Sequence, residues 1–244
     1  MRLTRVYVAT ALAPDTEQLL PRGAADHLLK VLRLRPGAEL TLFDGRGGEY
    51  TARLVDAERG AARVVVGAHL PIERESPLAV TLLQGLVRGE RMDLIVQKAT
   101  ELGACAIVPL LTERSVVRLD SAQTAKRLAH WQAIAISACE QCGRNTLPQI
   151  GPLAELSRVD ELALSGARLL LEPQGRQTLS GALSNHTEVA VLIGPEGGFS
   201  DAEVEAALDD DFVPCRLGPR VLRTETAPLA ALAALQLLAG DFGR

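Results

Sequence analysis

The first segment that suggests chemistry is a glycine-rich stretch in the C-terminal third of the chain. Residues 194–198 read Gly-Pro-Glu-Gly-Gly and follow an apolar run, Glu188–Ile193. Three glycines and a proline within five residues favour a tight turn in which the backbone can approach a ligand closely. A plain turn between a strand and a helix is the alternative, but such a turn needs only one glycine. We therefore interpret this segment as a ligand-binding loop.

A second segment, residues 217–227, combines charged and capping residues just before an apolar, helix-like run. Its polar members are Arg220, Arg223, Thr224, Glu225 and Thr226. Either threonine would make a good N-cap for the following helix, and the glutamate would be favourable near the positive helix end. Capping does not explain the two arginines. Guanidinium groups bind anions or stabilise developing negative charge, so we favour a functional interpretation here too.

Neither segment matches the common nucleotide-binding fingerprints. The chain has no Gly-Lys-Ser/Thr phosphate loop and no GxGxxG motif at these positions. These absences disfavour nucleoside triphosphates and nicotinamide dinucleotides as ligands. Two further charged stretches, residues 90–103 and 140–144, fit a functional role and a solvent-facing helix surface equally well.

The elements that must position these loops fall into two groups. In the N-terminal part, residues 3–8, Glu39–Phe43, 49–55 and 61–69 have strand patterns, and residues 26–34 have helical spacing. Short strands separated by glycine-rich turns predict a small antiparallel barrel. The charged, proline-flanked residues 71–77 are interpreted as a linker to the next domain.

Beyond the linker, strand-like and helix-like segments alternate. Predicted strands are 78–83, Ala104–Leu111, Ala167–Leu171, Glu188–Ile193 and 212–217, and predicted helices are 91–102, Ser121–Cys142, 201–208 and 228–238. Ser200 and Glu203 form a capping-box pattern for the third of these helices. The alternation predicts a mostly parallel, doubly wound α/β domain. In such sheets ligands bind outside the carboxyl ends of the strands, which is where both loops fall.

Composition limits the possible functions. The chain has 244 residues, is 47% hydrophobic and 23% charged, and carries a net charge of −4. Residues 1–72 hold 10 basic against 8 acidic side chains, so the N-terminal part is the better candidate for meeting phosphate. Aromatic residues make up only 3% of the chain, which argues against RNA binding by rows of stacked aromatic rings.

Cysteine and apolar patterns predict a reducing, cytoplasmic location. The four cysteines do not form a disulfide framework, and Cys139 and Cys142 form a single CxxC without a second ligand pair at metal spacing. Buried small residues are the simpler interpretation of these cysteines, and we expect no metal. No signal peptide opens the chain, and residues 227–239 are too short to span a bilayer, so no membrane association is expected.

Taken together, these segments resemble the ribosomal RNA small-subunit methyltransferase E family of the SPOUT superfamily. The matching pieces are residues 26–33, 91–103, 140–144, 193–199 and 221–227, in the family's order. The chain has Cys142 where the family typically has serine, and Val221 where it has isoleucine. The resemblance implies a PUA-like β-barrel in residues 1–72 that helps to hold RNA. It also implies, in residues 73–244, a mostly parallel SPOUT α/β domain with a C-terminal trefoil knot.

The resemblance further implies the reaction and the partners. The cofactor would be S-adenosylmethionine, the product a uridine methylated at N3 in 16S rRNA of the small ribosomal subunit, and the protein a homodimer. The implied cofactor-binding residues are Leu171, Glu172, Ile193, Gly194, Pro195, Glu196, Gly197, Gly198, Leu217, Gly218, Val221, Leu222, Arg223, Thr226 and Ala227. Candidate RNA-binding residues are Arg2, Arg5, His27, Arg33, Arg88, Arg91 and Lys98.

Uracil N3 is a weakly acidic imide that must lose its proton before it can attack the methyl group. A carboxylate base can take the proton, or cations can stabilise the developing anion on O2 and O4. The available carboxylates are Glu196 and Glu225, and the available cations are Arg223 and Arg144. We favour the stabilising role for Arg223.

Three rival functions remain open at this level. A ribose 2′-O-methyltransferase of the same superfamily would share the knot but usually lacks the PUA-like domain and this Glu-Thr-Ala segment. A non-catalytic RNA-binding factor would keep the domain without the chemistry, but the intact residues 194–198 and Arg223 argue against a decayed site. A nucleotide-linked oxidoreductase is disfavoured by the missing GxGxxG motif.

Overall fold

A computed structural model describes residues 4–57, 60–115, 119–183 and 186–243. Contacts divide the chain into two compact units. The first contains the described residues up to Glu75 together with Cys139–Leu147, and the second contains Ser76–Ala138 and the described residues from Pro148 onward. The sequence placed the domain boundary after residue 72, and the continuous part of the first unit ends at Glu75. The sequence did not predict that Cys139–Leu147 belongs to the first unit.

The first unit is built on a five-stranded sheet. Its strands are β1 (Thr4–Tyr7), β2 (Glu17–Leu19), β3 (Glu39–Phe43), β4 (Glu49–Asp56) and β5 (Arg63–Leu70), in the order β1-β3-β4-β5-β2. Alternating apolar residues of β3, β4 and β5 face a core that includes Leu42, Leu54 and Val64. The pairs along β3-β4-β5-β2 are antiparallel as expected, but β1 runs parallel to β3.

The parallel pair requires a long connection, and this connection contains the predicted helix of residues 26–34. The helix begins earlier than expected, as α1 (Arg22–Asp26), and continues as a π-helical turn, His27–Val31. Leu28 on this turn is fully buried in the core of the first unit. The expectation of a purely antiparallel arrangement was therefore wrong for β1.

The second unit carries a parallel sheet. Its strands are β6 (Ala79–Gly85), β7 (Ala104–Leu111), β8 (Gln149–Ile150), β9 (Ala154–Glu155), β10 (Ala167–Leu171), β11 (Gln177–Thr178), β12 (Glu188–Ile193) and β13 (Val213–Arg216). The order is β11-β13-β10-β12-β6-β7-β8, with β9 also paired to β7, and each of these pairs is parallel. The short strands β8, β9 and β11 were not predicted from the sequence.

Helices cover both faces of this sheet. The helices are α2 (Arg91–Glu101), α3 (Ser121–Cys142), α4 (Leu179–Leu183), α5 (Asp201–Asp209) and α6 (Thr226–Ala239), with a 3-10 segment at Leu156–Glu161. Alternate residues of β12 enter different cores: Val191 packs with residues of α2, α4 and α6, and Leu192 packs with residues of α5 and the 3-10 segment. A strand that is apolar on both sides is typical of a parallel sheet covered on both faces. The predicted doubly wound α/β class is confirmed, and the trefoil knot stays a prediction.

Candidate active site

A cavity of about 490 Å³ lies at the carboxyl edge of the sheet. It opens where β10, β12 and β13 end, next to Leu171, Ile193 and Leu217. Its size falls within the usual range for small-molecule sites, roughly 300–1,000 Å³. The two loops singled out in the sequence, residues 194–198 and 217–225, supply much of its wall.

The two loops are joined by a buried threonine. The Thr224 hydroxyl donates a hydrogen bond of 2.8 Å to the carbonyl oxygen of Gly194. The side-chain amide of Gln84, at the end of β6, lies 3.5 Å from both of these oxygen atoms. The expectation that Thr224 or Thr226 caps α6 was wrong: Glu225 holds the N-cap position without a side-chain cap bond, and Thr226 is the first helical residue.

Close backbone approach explains why small residues are needed at this edge. A Cβ atom added to Gly85 would lie 2.6 Å from the Pro195 ring, so only glycine lets the end of β6 meet the loop. Gly198 has a φ of +66°, a conformation that L-residues rarely adopt, and its amide donates to the Pro195 carbonyl at 2.9 Å. The turn of residues 194–198 is thus held in a defined shape before any ligand arrives.

A third loop, residues 112–115, was not recognised from the sequence. Arg114 lines the cavity and donates to the carbonyl oxygen of Gly197 at 3.2 Å. The buried carboxylate of Glu203 accepts from the amide of Glu113 at 2.7 Å and from the amide of Ser200 at 2.8 Å. The predicted capping box of α5 is confirmed, and the same glutamate also fixes the third loop. No local motif marks Arg114, because its neighbours come from distant parts of the chain.

Charges in the cavity wall are mixed. The lining includes four arginines and three glutamates, namely Arg91, Arg114, Arg220, Arg223, Glu172, Glu196 and Glu225. Burial raises the pKa of Glu172, against the opposing effects of the Gln174 backbone amide and the Arg114 charge. Glu196 forms an ion pair with Arg91 at 2.8 Å. Among the described residues, Arg223 has no ion-pair partner and is exposed.

Most of the residues expected to bind cofactor come together in this cavity. Every member of that set lines it except Thr226, which lies on the first turn of α6. Three of the four catalytic candidates, Arg223, Glu196 and Glu225, line it as well. Their individual roles stay predictions.

Arg144, the fourth catalytic candidate, belongs to the first unit. It is buried, and its Nε atom donates to the Glu75 carboxylate at 3.1 Å. Burial alone would lower the pKa of Arg144, but the hydrogen bond and charge of Glu75 raise it. These contacts are those of a cation that stabilises the fold, and the catalytic role of Arg144 stays a prediction.

The RNA-binding candidates differ widely in exposure. His27, Arg33 and Arg88 are exposed. Lys98 pairs with Glu101 on the same helix at 2.8 Å. Arg5 is buried, pairs with Glu49, and donates to the Arg144 carbonyl at 3.1 Å, so its guanidinium is not available to a phosphate as it stands. Arg2 lies outside the described residues.

The CxxC cysteines lie at the end of α3, within the first unit. Cys139 is buried, and its hydrogen bond with Cys142, together with burial, raises the pKa of the Cys139 thiol. Such a thiol stays protonated and unreactive at neutral pH. Within the described ranges, no group of three or more His, Cys, Asp and Glu side chains is arranged to hold a metal ion, and no helix there has the length and apolar character to cross a membrane.

Comparison with known proteins agrees with this architecture. Residues 74–236 match a family model described as an RNA methyltransferase domain, and residues 20–67 match one described as an RNA methyltransferase PUA domain. The chain is 32% identical over 241 residues to the ribosomal RNA small subunit methyltransferase E of Buchnera aphidicola (subsp. Schizaphis graminum), covering 98% of each chain. It is 34% identical over 228 residues to the protein of the same name from Bacillus subtilis, covering 88% of this chain and 89% of the relative.

Two solved structures extend the likeness to three dimensions. A putative methyltransferase from Legionella pneumophila, in complex with bound S-adenosylmethionine, is 40% identical with a TM-score of 0.96, covering 99% of this chain and 100% of its own. The ribosomal RNA small subunit methyltransferase E of Neisseria gonorrhoeae, bound to S-adenosyl methionine, is 41% identical with a TM-score of 0.91 and the same coverage. The chain belongs to the ribosomal RNA small subunit methyltransferase E family, a family with a PUA domain followed by an RNA methyltransferase domain.

Proposed function

We propose that this protein uses S-adenosylmethionine to methylate N3 of a specific uridine in the 16S rRNA of the small ribosomal subunit. The observation that carries the proposal is the cavity enclosed by residues 194–198 and 217–225, in a chain that matches the family over nearly its whole length. We further propose that it acts in the cytoplasm as a homodimer and that its second unit is knotted. The first unit would act as the PUA-like, RNA-holding domain.

The cavity fits the proposed cofactor. Apolar side chains at the strand ends, among them Leu171, Ile193 and Leu217, suit an adenine ring. The glycines of residues 194–198 leave backbone groups free to bond a ribose or an amino-acid group. Glu172 and Arg114 supply one charge of each sign in the same wall. When bound there, the cofactor supplies an electrophilic methyl group and leaves as a neutral thioether.

The direction of methyl transfer favours a cation over a fixed base. The N3–H bond lies in the plane of uracil, and the new N3–CH₃ bond forms along the same direction. A carboxylate that stayed hydrogen-bonded to N3–H would therefore block the incoming methyl group. The N3 proton is instead released to solvent water before transfer, and a guanidinium beside O2 or O4 stabilises the resulting imide anion without occupying the path of the methyl group. Arg223 lines the cavity, is exposed and is free of an ion-pair partner among the described residues, so we assign it this role.

N3 lies on the Watson–Crick edge of uracil, so the target base must be unpaired or turned out of its helix. Phosphate contacts would hold the surrounding RNA in register. We propose that the exposed side chains of His27, Arg33, Arg88 and Arg91 make such contacts. Arg5 is buried and paired with Glu49, and Lys98 is paired with Glu101 on the same helix, so these two are weaker candidates. Arg91 is paired too, with Glu196, but its side chain is more exposed than either of them.

Methyl transfer from labelled S-adenosylmethionine to small ribosomal subunits that lack endogenous modification tests the proposal. The RNA would then be digested to nucleosides, and the labelled nucleoside identified. We expect label on the base of one uridine, as 3-methyluridine. Label on a ribose 2′-oxygen would support the rival methyltransferase class. The absence of label, with normal cofactor binding, would support a non-catalytic factor.

A further inference from the structure

A second, shallower concavity adjoins the cavity. It measures about 580 Å³ and is lined by Arg88, Gly89, Glu90, Arg91 and Glu196. Two of these residues, Arg91 and Glu196, also line the cavity proposed for the cofactor. The wall between the two concavities is therefore formed by an ion pair rather than by packed apolar side chains.

The contacts of this ion pair are few. One guanidinium nitrogen of Arg91 meets one carboxylate oxygen of Glu196 at 2.8 Å, and the same oxygen lies 3.4 Å from the Arg88 amide. The Arg91 side chain is 45% exposed and that of Glu196 is 29% exposed. Exposed ion pairs with a single contact contribute little to the stability of a protein. A ligand that offers Arg91 a better anion can displace Glu196 at little cost.

An RNA phosphodiester is such an anion. Its two free oxygens can accept two parallel hydrogen bonds from one guanidinium, which the single contact with Glu196 does not provide. The acceptor nucleotide must also lie next to the methyl group held in the cavity, and the second concavity is directly adjacent to that cavity. The position of the second concavity and the positive charge of Arg91 thus both favour an RNA phosphate as the ligand.

We propose, on the basis of the function given above, that the second concavity binds the backbone of the acceptor nucleotide and that an RNA phosphate replaces Glu196 on Arg91. In the free protein, Glu196 occupies Arg91 and competes with RNA. In the complex, Arg91 holds the phosphate and the Glu196 carboxylate turns away. Docking of RNA thereby opens the wall between the acceptor subsite and the cofactor cavity.

The proposal predicts opposite effects from the two halves of one ion pair. Glu196→Gln removes the competing anion, so affinity for RNA rises about two- to five-fold, the equivalent of losing a weak exposed pair. Arg91→Gln removes the phosphate ligand, so affinity falls. For this variant, the slope of the logarithm of RNA affinity against the logarithm of salt concentration becomes shallower by about 0.7. This is the value expected for the loss of one phosphate contact to single-stranded RNA. A purely structural ion pair would make both variants worse.

The test is a binding titration of an unmodified 16S rRNA transcript by fluorescence anisotropy, without cofactor, across a series of NaCl concentrations. Glu161→Gln is the matched control, because it makes the same charge change in an ion pair with Arg158 that lines neither concavity. Thermal melting of each variant checks that it is folded. Two results together support the proposal. Glu196→Gln binds the transcript more tightly than the wild type while Glu161→Gln does not, and Arg91→Gln binds it more weakly and with less dependence on salt.

Three results would overturn it. Both variants could bind RNA more weakly, neither could differ from the wild type, or Glu161→Gln could tighten binding as much as Glu196→Gln. In each of these cases the wild type still binds the transcript, so the proposed methyltransferase function stands. A wild-type protein that binds neither the transcript nor small ribosomal subunits without the modification would instead count against the proposed function itself, and the exchange would fall with it.

Discussion

Two pairs of arginines, one pair in each unit of this protein, have opposite surroundings. In the first unit, Arg5 and Arg144 are buried; Arg5 bonds Glu49 and the Arg144 carbonyl, and Arg144 bonds Glu75. In the second unit, Arg220 and Arg223 line a cavity, are exposed, and have no ion-pair partner among the described residues. Buried charges must be paired to be tolerated, whereas a catalytic cation must be available to the substrate. The contrast separates arginines that build the fold from those that can act on a ligand.

The buried network also explains why Cys139–Leu147 belongs to the first unit. Arg5 donates to the Arg144 carbonyl and to the Asn145 side chain, and the Glu140 carboxylate accepts from the Tyr7 amide at 3.0 Å. These bonds join the start of the chain to a segment about 140 residues later in sequence. Hydrogen bonds with β1 thus attach this segment to the first unit.

The largest expected effect comes from breaking this network. Arg144→Ala leaves the Glu75 carboxylate without its closest cation, and the free energy of unfolding should fall by about 3 kcal/mol, as for a partly desolvated ion pair that loses one member. Urea unfolding followed by circular dichroism measures the change. The matched variant Arg223→Ala removes an exposed arginine and should change stability by less than about 0.5 kcal/mol. Equal losses in the two variants would contradict the contrast between the units.

Activity should respond in the reverse order. Arg223→Ala is expected to lower kcat about 100-fold, the usual cost of removing one group that stabilises a transition-state anion. Affinity for S-adenosylmethionine, measured by calorimetry, should change little, because enclosure by residues 194–198 remains. Arg223→Lys should recover part of the rate, since it keeps the positive charge. Full turnover by Arg223→Ala would remove this residue from the proposed chemistry.

A smaller effect is expected at the bond between the two loops. Thr224→Val keeps the shape of the side chain but removes the hydroxyl that donates to the Gly194 carbonyl. Loss of this hydrogen bond, the shorter of the two that the Gly194 carbonyl accepts from side chains, should cost about 1 kcal/mol. Cofactor affinity should fall about five-fold as the loops lose their mutual support. Thr224→Ser retains the hydroxyl and is the control. A valine variant with unchanged cofactor affinity would show that the loops hold their shape independently.

Sequence reasoning found the main elements of the second unit because their patterns are local. The strands Ala104–Leu111, Ala167–Leu171 and Glu188–Ile193 are mostly apolar and appear with the predicted bounds. The capping box of α5 depends on residues only three positions apart. The short strands β8, β9 and β11 have no such pattern, since two residues are too few for a periodicity.

The residues of the candidate site were also predictable only where a local sequence pattern marks them. Glycine and arginine content marked residues 194–198 and 217–227, whereas Gly85 and Arg114 join the site only through contacts with residues more than 80 positions away. Thr224 was misjudged for the same reason. A threonine before a helix has a local use as a cap, and nothing nearby in sequence reveals its bond to Gly194. Arg5 and Arg144 look like surface cations until their distant carboxylate partners are known.

The smallest effect expected concerns the pH dependence of the buried network. Burial would raise the pKa of Glu49, but hydrogen bonds from Arg74 and Arg5 lower it below the ordinary value of 4.5. A carboxylate whose pKa is lower in the folded state stabilises the protein above its unfolded pKa, and this contribution is lost as the pH falls through the folded pKa. The stability difference between the wild type and Glu49→Gln should therefore stay constant above about pH 5.5 and shrink below about pH 4.5. Urea unfolding of both proteins between pH 3 and pH 7 measures it. A difference that did not change over this range would mean that Glu49 contributes by packing and not by its charge, and the network would then depend on Arg144 and Glu75.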